Sequence, residues 1–545
     1  MFAFEGGSPV QRLRGAHAAR RRPSEVVRDA LLETPGRLGA LLARPWVFWT
    51  AIGVFVALGV LFAVILKYPV VDGDGHVPYT GTIAPDEHRH IANILYYAQR
   101  PVTAGPVLHH IAPSDLAMGE MLRFPSYVYY YVMSFAVKPI INLGLPYSYI
   151  VVALRLVNVV VGAIGLIVTR RLLRTMGLSE AVAVLTVIML IGTGRYVWQS
   201  SAVSYDAPSM TLFLCTLLYS ARFLREPSWG SLAKAVVLSG WTVLFKYTFI
   251  PFAVVAIVVA VVLGLRRHGW HSLSTPLRGF VDAVRTRAVR TALWSVSFVL
   301  VAALVVERLG VNLVMYRAFN PDCSALHTHA QCMRFSIYAR NFQATRSHEL
   351  AQANGQSSSV PDLLEFAGRW ATTYFQSVFF YRDRNSTWSV QPAVIVLGAL
   401  VVVAAVVLTS AMVRSLFRTR ALVWAVTVAG VYTVAMFVFN LRTLLTLDNE
   451  YAFSGRYMLP VLPLVYALLI VAALGAWRRL RNRWRTVLVV PVLLLGLVVV
   501  LLFSTPFAFF TYANSPDWYT NSALDLLPHW MTGVDDVVVP SAVQQ

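Results

Sequence analysis

VFWTAIGVFVALGVLFAVILK, residues 47–67, decides the fold. From Val47 to Leu66 no side chain ionises, and these twenty residues, at about 1.5 Å each in a helix, reach across the roughly 30 Å of a bilayer's hydrocarbon. Comparable runs recur near 148–168, 180–194, 206–221, 231–245, 248–265, 291–311, 390–411, 421–440, 457–476 and 486–506. Backbone polar groups in lipid must be satisfied within their own segment. The expectation is therefore an all-α polytopic membrane protein with about eleven transmembrane helices and further helices in its external loops. The stretch 124–143 is apolar but carries Tyr127, Tyr129, Tyr130 and Tyr131, followed by Lys138-Pro139. Tyr favours the headgroup level, so this stretch reads as an interfacial or re-entrant helix.

Composition agrees. Of 545 residues, 57% are hydrophobic and only 13% charged, too apolar for a soluble chain of this length. The net charge of +20 does not point to nucleic acid, because no basic–aromatic module is visible. The basic residues cluster between spans: Arg12, Arg14, Arg20, Arg21, Arg22 and Arg28; Arg170, Arg171 and Arg174; Arg222, Arg225 and Lys234; Arg266, Arg267, Arg278, Arg285, Arg287 and Arg290; Arg414, Arg418 and Arg420; Arg478, Arg479, Arg481, Arg483 and Arg485. All fall on one side if 124–143 does not cross, and that side is cytoplasmic. The expected organisation is a basic cytoplasmic tail (1–46), a transmembrane domain (47–506) with external loops 68–147 and 312–389, and an extracytoplasmic tail (507–545). The basic N-terminal region is too long for a cleavable signal peptide. The preference for Arg over Lys, with abundant Ala and Val, hints at a GC-rich bacterial genome, hence a bacterial plasma membrane.

The external loops hold the ionisable groups. Pro85-Asp86-Glu87-His88-Arg89-His90 lies about twenty residues past the first span. Carboxylates so close to a bilayer are costly unless they face water, a cation or a reaction. Pro-Asp-Glu is also a good helix start, so capping and a general base are both open readings, and they are compatible. Cys323 and Cys332 share the second large loop and would form a local disulfide in an oxidising compartment. With His327 and His329 they would otherwise form a metal set of no common zinc spacing. His88, His90, His109 and His110 invite a divalent cation, but no spacing is diagnostic; no metal ligands are assigned and no cofactor is required. Cys215, inside a span, reads as a small apolar filler.

Three segments together carry a resemblance. Pro85-Asp86-Glu87 stands in the first external loop. Ser204-Tyr205-Asp206-Ala207-Pro208 opens a span, with Phe245-Lys246-Tyr247-Thr248 at the outer end of the next. Ser454-Gly455-Arg456-Tyr457-Met458-Leu459-Pro460 opens a late span. In order and placement this set resembles the GT-C integral-membrane glycosyltransferases, in a bacterial branch of predicted membrane proteins. That resemblance implies a polyprenyl-phosphate-linked sugar donor, a cell-envelope glycan, lipid or protein acceptor, and inverting transfer on the extracytoplasmic face. It implies Asp86 as general base, with Glu87 orienting acceptor or cation. Cations at the outer boundary (Arg456, Lys246 and Arg89) would hold the donor phosphate, and His88, His90, Tyr205, Asp206 and Tyr457 would line the substrate. Snorkelling of Arg456 or Lys246 and helix capping by Asp206 are the bland alternatives. A lipid-linked oligosaccharide ligase or polymerase is the nearer rival function; a polytopic lipid or sugar transporter is the more distant one, since the span centres look almost free of charge.

The Arg pattern predicts that cysteines introduced at Ser358 and Ser541 react with a membrane-impermeant thiol reagent from outside intact cells. Labelling confined to inverted vesicles would contradict this topology.

Overall fold

The computed structural model describes residues 36–66, 86–98, 123–269, 276–333, 335–354, 362–379, 419–447 and 453–479. Every regular element among them is helical. The principal helices are α1 (Pro45–Ile65), α2 (Glu87–Ala98), α3 (Val128–Asn142), α4 (Tyr147–Thr175), α5 (Glu180–Gly192), α6 (Gly194–Ser201), α7 (Asp206–Arg225), α8 (Trp229–Phe245), α9 (Ile250–His268), α10 (Pro276–Val305), α11 (Ser336–Ala353), α12 (Leu363–Phe379), α13 (Arg420–Leu447) and α14 (Leu462–Arg479).

Among the described residues, six helical stretches are long and apolar enough to cross a membrane: Pro45–Ile65, Tyr147–Thr175, Asp206–Arg225, Tyr247–His268, Ala288–Tyr316 and Arg420–Thr446. The chain is a multi-pass membrane protein. The expected spans 231–245 and 457–476 correspond to shorter apolar helices, Trp229–Phe245 and Leu462–Ala472. The expected spans 390–411 and 486–506 lie outside the described residues, as do most of the proposed tails. The run 180–194 is not one straight span. It is the first limb of a bent pair, α5 and α6, that turns by 70°. The turn falls at Thr193, whose N–H is bonded to the Leu190 carbonyl while its own carbonyl accepts from Tyr196 N. Every residue of α6 is buried.

The 124–143 stretch forms α3, fifteen residues long. At about 1.5 Å per residue it falls short of the hydrocarbon thickness. Its Tyr-rich start is buried against α2, because Tyr127, Tyr129 and Tyr130 join Ile91, Ile94, Tyr97 and Leu154 in one apolar cluster.

α7 is the hub: it packs against α4, α8 and α9 and buries most of its length. α4 crosses α1, α6 and α7 through glycines that have no room for a side chain. A Cβ on Gly162 would lie 2.7 Å from Ser200 Oγ and 2.9 Å from Phe55 Cζ; one on Gly165 would lie 2.7 Å from Thr211 Oγ1. The helix from Ala288 to Tyr316, by contrast, is buried over little of its length. It passes through a π turn at Val306–Gly310, where Arg123 bonds Glu307 and Asn312. The Cys323–Cys332 bond closes a small loop beyond it, with Cα atoms 5.8 Å apart. Both sulfurs are thereby committed to each other.

Gly162→Ala is expected to overpack the α1–α4–α6 crossing, at a cost of roughly 1–3 kcal/mol. The check is a lower thermal midpoint of the purified protein in detergent; an unchanged midpoint would contradict the close approach.

Candidate active site

One buried ion pair places the acidic motif. Arg155, two turns into α4, presents Nε to Glu87 Oε1 and Nη2 to Glu87 Oε2, both at 2.9 Å. Its Nη1 donates to the carbonyls of Ala63 and Leu66 at the end of α1, at 3.2 and 2.7 Å. Glu87 Oε1 also accepts from Val203 N at 2.9 Å. Both side chains are buried, at 2% and 1% exposure. Glu87 therefore has its oxygens occupied by protein and is not among the residues lining the cleft described below. Directly and through Arg155 it joins α2 to α1, α4 and the segment leading into α7, where the sequence reading gave it the orienting of an acceptor or a cation. Arg155 was missed from sequence, although an arginine within a span is itself a signal.

Asp86, immediately before Glu87, has φ of 77°. That is the left-handed region, which costs a non-glycine residue free energy and persists where surrounding contacts impose it. Its carbonyl accepts the N–H of His90, opening α2. Its carboxylate bonds Arg89 Nη1 at 2.9 Å and Arg456 Nη2 at 3.0 Å. Burial pushes the Asp86 carboxyl up, but Arg456 and then Arg89 outweigh it and hold the group down at about 2. Asp86 is ionised at neutral pH.

Arg456 is brought there by tight local packing. It lies in the 3-10 turn Gly455–Met458. The Gly455 N–H donates to Ser377 Oγ of α12 at 2.6 Å, and a Cβ on Gly455 would lie 2.5 Å from Val378 N. No other residue fits between α12 and this turn. Arg456 Nη2 also donates to Tyr457 Oη at 3.0 Å. Lys246, at the C-cap of α8, bonds Asp206 Oδ1 at 2.5 Å and sits over the rings of Tyr205 and Tyr457, each 5.0 Å away.

Lys246, Arg456 and Tyr457 line one cleft, together with Gln199, Ser200 and Asp206. Asp86 reaches it through Arg456. Of the residues expected at the site, Asp86, Arg89, Arg456, Lys246, Asp206, Tyr205 and Tyr457 are thus joined by direct bonds or ring contacts. Asp206 is the first residue of α7, but its carboxylate is directed to Lys246 and Gln199. His90 is buried beneath the site. It shares a hydrogen bond with Tyr130 Oη at 3.0 Å and packs edge-on to Tyr205. Burial pushes its imidazole down to about 4, against the pull of Asp86 and Asp206, so it is neutral at pH 7. The sequence reading placed it among the substrate contacts; in the structure its ring packs on Tyr205. His88, half-buried on the other face of α2, is also shifted down by burial and by Arg89. Among the described residues no group of three or more His, Cys, Asp or Glu side chains is arranged to hold a metal ion; His109 and His110 lie outside them.

Residues 150–283 match the family model of dolichyl-phosphate-mannose-protein mannosyltransferases. The match runs from α4 into α10 and includes Arg155, Gln199, Asp206 and Lys246. It agrees with the resemblance to GT-C glycosyltransferases carried by the sequence motifs. No curated protein sequence matches the chain. Two solved structures are similar in shape. One is ArnT from Cupriavidus metallidurans bound to undecaprenyl phosphate, at 15% identity and a TM-score of 0.39, covering 80% of this chain and 60% of that one. The other is the archaeal oligosaccharyltransferase AglB from Archaeoglobus fulgidus, in complex with an inhibitory peptide and a dolichol-phosphate, at 13% identity and a TM-score of 0.38, covering 89% and 60%. The chain thus spans about three-fifths of the length of each.

His90 makes stability depend on pH. A folded-state pKa near 4, below the unfolded value of about 6.5, gives a contribution that is complete above pH 6.5 and lost as the pH falls toward 4. The thermal midpoint is expected to drop between those limits, and His90→Gln should flatten the drop. An equal slope in the variant would remove His90 as its source.

Proposed function

We propose that the chain is a membrane glycosyltransferase that moves a sugar from a polyprenyl-phosphate donor to a hydroxyl acceptor. The observation that carries this reading is a cleft lined by Lys246, Asp206 and Arg456, with Asp86 bonded to Arg456 at its edge and Arg89 bonded to Asp86. The family match, whose name specifies a dolichyl-phosphate-mannose donor, supports it. The ends of α4, α7 and α9 that carry Arg174, Arg225 and Arg267 are opposite to those that form the site. By the positive-inside rule the cleft then opens on the extracytoplasmic side.

In this reading Arg456 and Lys246 receive the donor phosphate at the membrane boundary, and Arg456 is the exchangeable group. In the free protein its guanidinium holds Asp86, and a carboxylate held near pKa 2 is a weak base. A phosphate that takes over Arg456 Nη2 withdraws one of the two cations from Asp86 and raises its basicity. Donor binding thus prepares the base. Asp86 then accepts the proton of the acceptor hydroxyl, whose oxygen attacks the anomeric carbon. The bond from that carbon to the phosphate oxygen breaks, its electron pair leaves with the lipid phosphate, and the configuration inverts. Phosphate is a good leaving group, so no general acid is required, and the cations stabilise the developing charge. The reaction so drawn uses no cofactor. A divalent cation remains compatible with the acidic groups, and turnover in excess EDTA tests for it.

Asp86→Asn preserves shape while removing the base. Transfer from a polyprenyl-phosphate sugar by the purified variant is expected to fall by about 10²–10⁴-fold, with donor binding retained. Arg456→Ala should weaken donor binding. Near-wild-type turnover in Asp86→Asn would remove Asp86 from the chemistry, and unchanged donor affinity in both Arg456→Ala and Lys246→Ala would remove the phosphate assignment.

A further inference from the structure

The wall of the cleft contains one buried acceptor that the chemistry above does not use. Gln199 lies on α6, the short limb after the 70° bend. Its side chain is 2% exposed, and it lines the cleft beside Asp206, Lys246 and Arg456. Its Nε2 donates to Asp206 Oδ2 at 3.1 Å. That bond fixes the amide orientation, because the flipped amide would set a carbonyl oxygen against a carboxylate. Gln199 Oε1 is then buried with no hydrogen-bond partner. A buried acceptor left unpaired is destabilising by about 1–3 kcal/mol, and such a group calls for a specific explanation.

We propose that Gln199 Oε1 reads a hydroxyl of the donor's sugar, making Gln199 a specificity-determining residue. The inference rests on the proposed donor reading and deepens it. An amide carbonyl accepts hydrogen bonds and carries no charge, so it cannot attract phosphate; its complement is a neutral O–H. Gln199 is tied through Asp206 to Lys246, one of the two cations assigned to the phosphate. That phosphate joins two groups, a polyprenyl chain without hydroxyls and the sugar, so a sugar hydroxyl is the donor's O–H that can arrive at this wall. The Asp206 bond holds the amide before the sugar binds, which reduces the entropy lost on recognition. A site built to bond a hydroxyl rejects an analogue lacking it, because the acceptor is again left unpaired.

The experiment uses the full chain in nanodiscs. It compares the affinity of bare undecaprenyl phosphate with that of undecaprenyl phosphate linked to glucose, galactose, mannose, N-acetylglucosamine or arabinose. The ratio for the best sugar is its binding increment. In Gln199→Met, which keeps the length of the side chain, the increment is expected to fall about tenfold, while bare undecaprenyl phosphate stays within about twofold. A residue that merely positioned Asp206 and Lys246 would instead weaken bare and sugar-bearing lipid alike, and that result overturns the proposal. So does an unchanged increment, or a wild type with no increment for any sugar. Mono-deoxy versions of the best sugar, measured on wild type, give a second reading should Gln199→Met fail to fold. One position is expected to lose the increment, and equal loss at all positions counts against the proposal. If bare undecaprenyl phosphate itself does not bind the wild type, the donor reading fails, and this inference falls with it.

Discussion

The Arg155–Glu87 pair sets the position of everything that follows. Two charges removed from water inside a membrane protein carry a large desolvation cost, offset only when the geometry is good and the remaining hydrogen-bonding capacity is filled. Here both conditions hold. The guanidinium forks onto the carboxylate, and the end of α1 supplies two carbonyls to Nη1. The C-terminal end of a helix carries partial negative charge, so α1 contributes as a dipole as well as through hydrogen bonds. The Val203 N–H completes the set from the segment that leads into α7. One polar knot thus joins four parts of the chain. Asp86, a single residue away, is held with positive φ in a place it would not choose alone.

Around that anchor the site is assembled from segments far apart in sequence. Asp86 and Arg89 come from the start of α2, Asp206 and Lys246 from facing ends of α7 and α8, and Arg456 from a turn pressed onto α12. Aromatic rings fill the space beneath. His90, Tyr129, Tyr130 and Tyr205 pack against one another, which leaves the charged layer a firm floor. Rigid supports of this kind keep catalytic groups in place more reliably than loops.

The membrane class was legible because hydrophobic length is a one-dimensional signal. Runs such as 47–67 and 421–440 need no partner to be recognised. The acidic motif and the cations at the span ends were legible for a related reason, since charge at a membrane boundary is rare enough to stand out. What could not be read was pairing. Asp86 and Glu87 are adjacent and chemically alike, yet one meets the arginines at the site and the other is buried on Arg155. That difference depends on where α4 passes. The bend between α5 and α6 was hidden because residues 180–194 are as apolar as a straight span, and no pattern in the sequence singles out Gln199 beyond it. Arg155 was overlooked because its neighbours are apolar enough to carry it in a hydropathy average.

The charges gathered at the cleft do not cancel. Three cationic side chains, Arg89, Lys246 and Arg456, face two carboxylates, Asp86 and Asp206, while His90 is neutral. One positive charge is left over, in a setting where it is weakly screened. A phosphodiester carries one negative charge, so the proposed donor would bring the cleft to electroneutrality. Once its sugar is gone, the lipid phosphate is a monoester that can carry two. Charge stays balanced while the proton taken from the acceptor remains on Asp86; once Asp86 gives it up to water, the same side chains are short of charge for the outgoing lipid, and that imbalance favours product release.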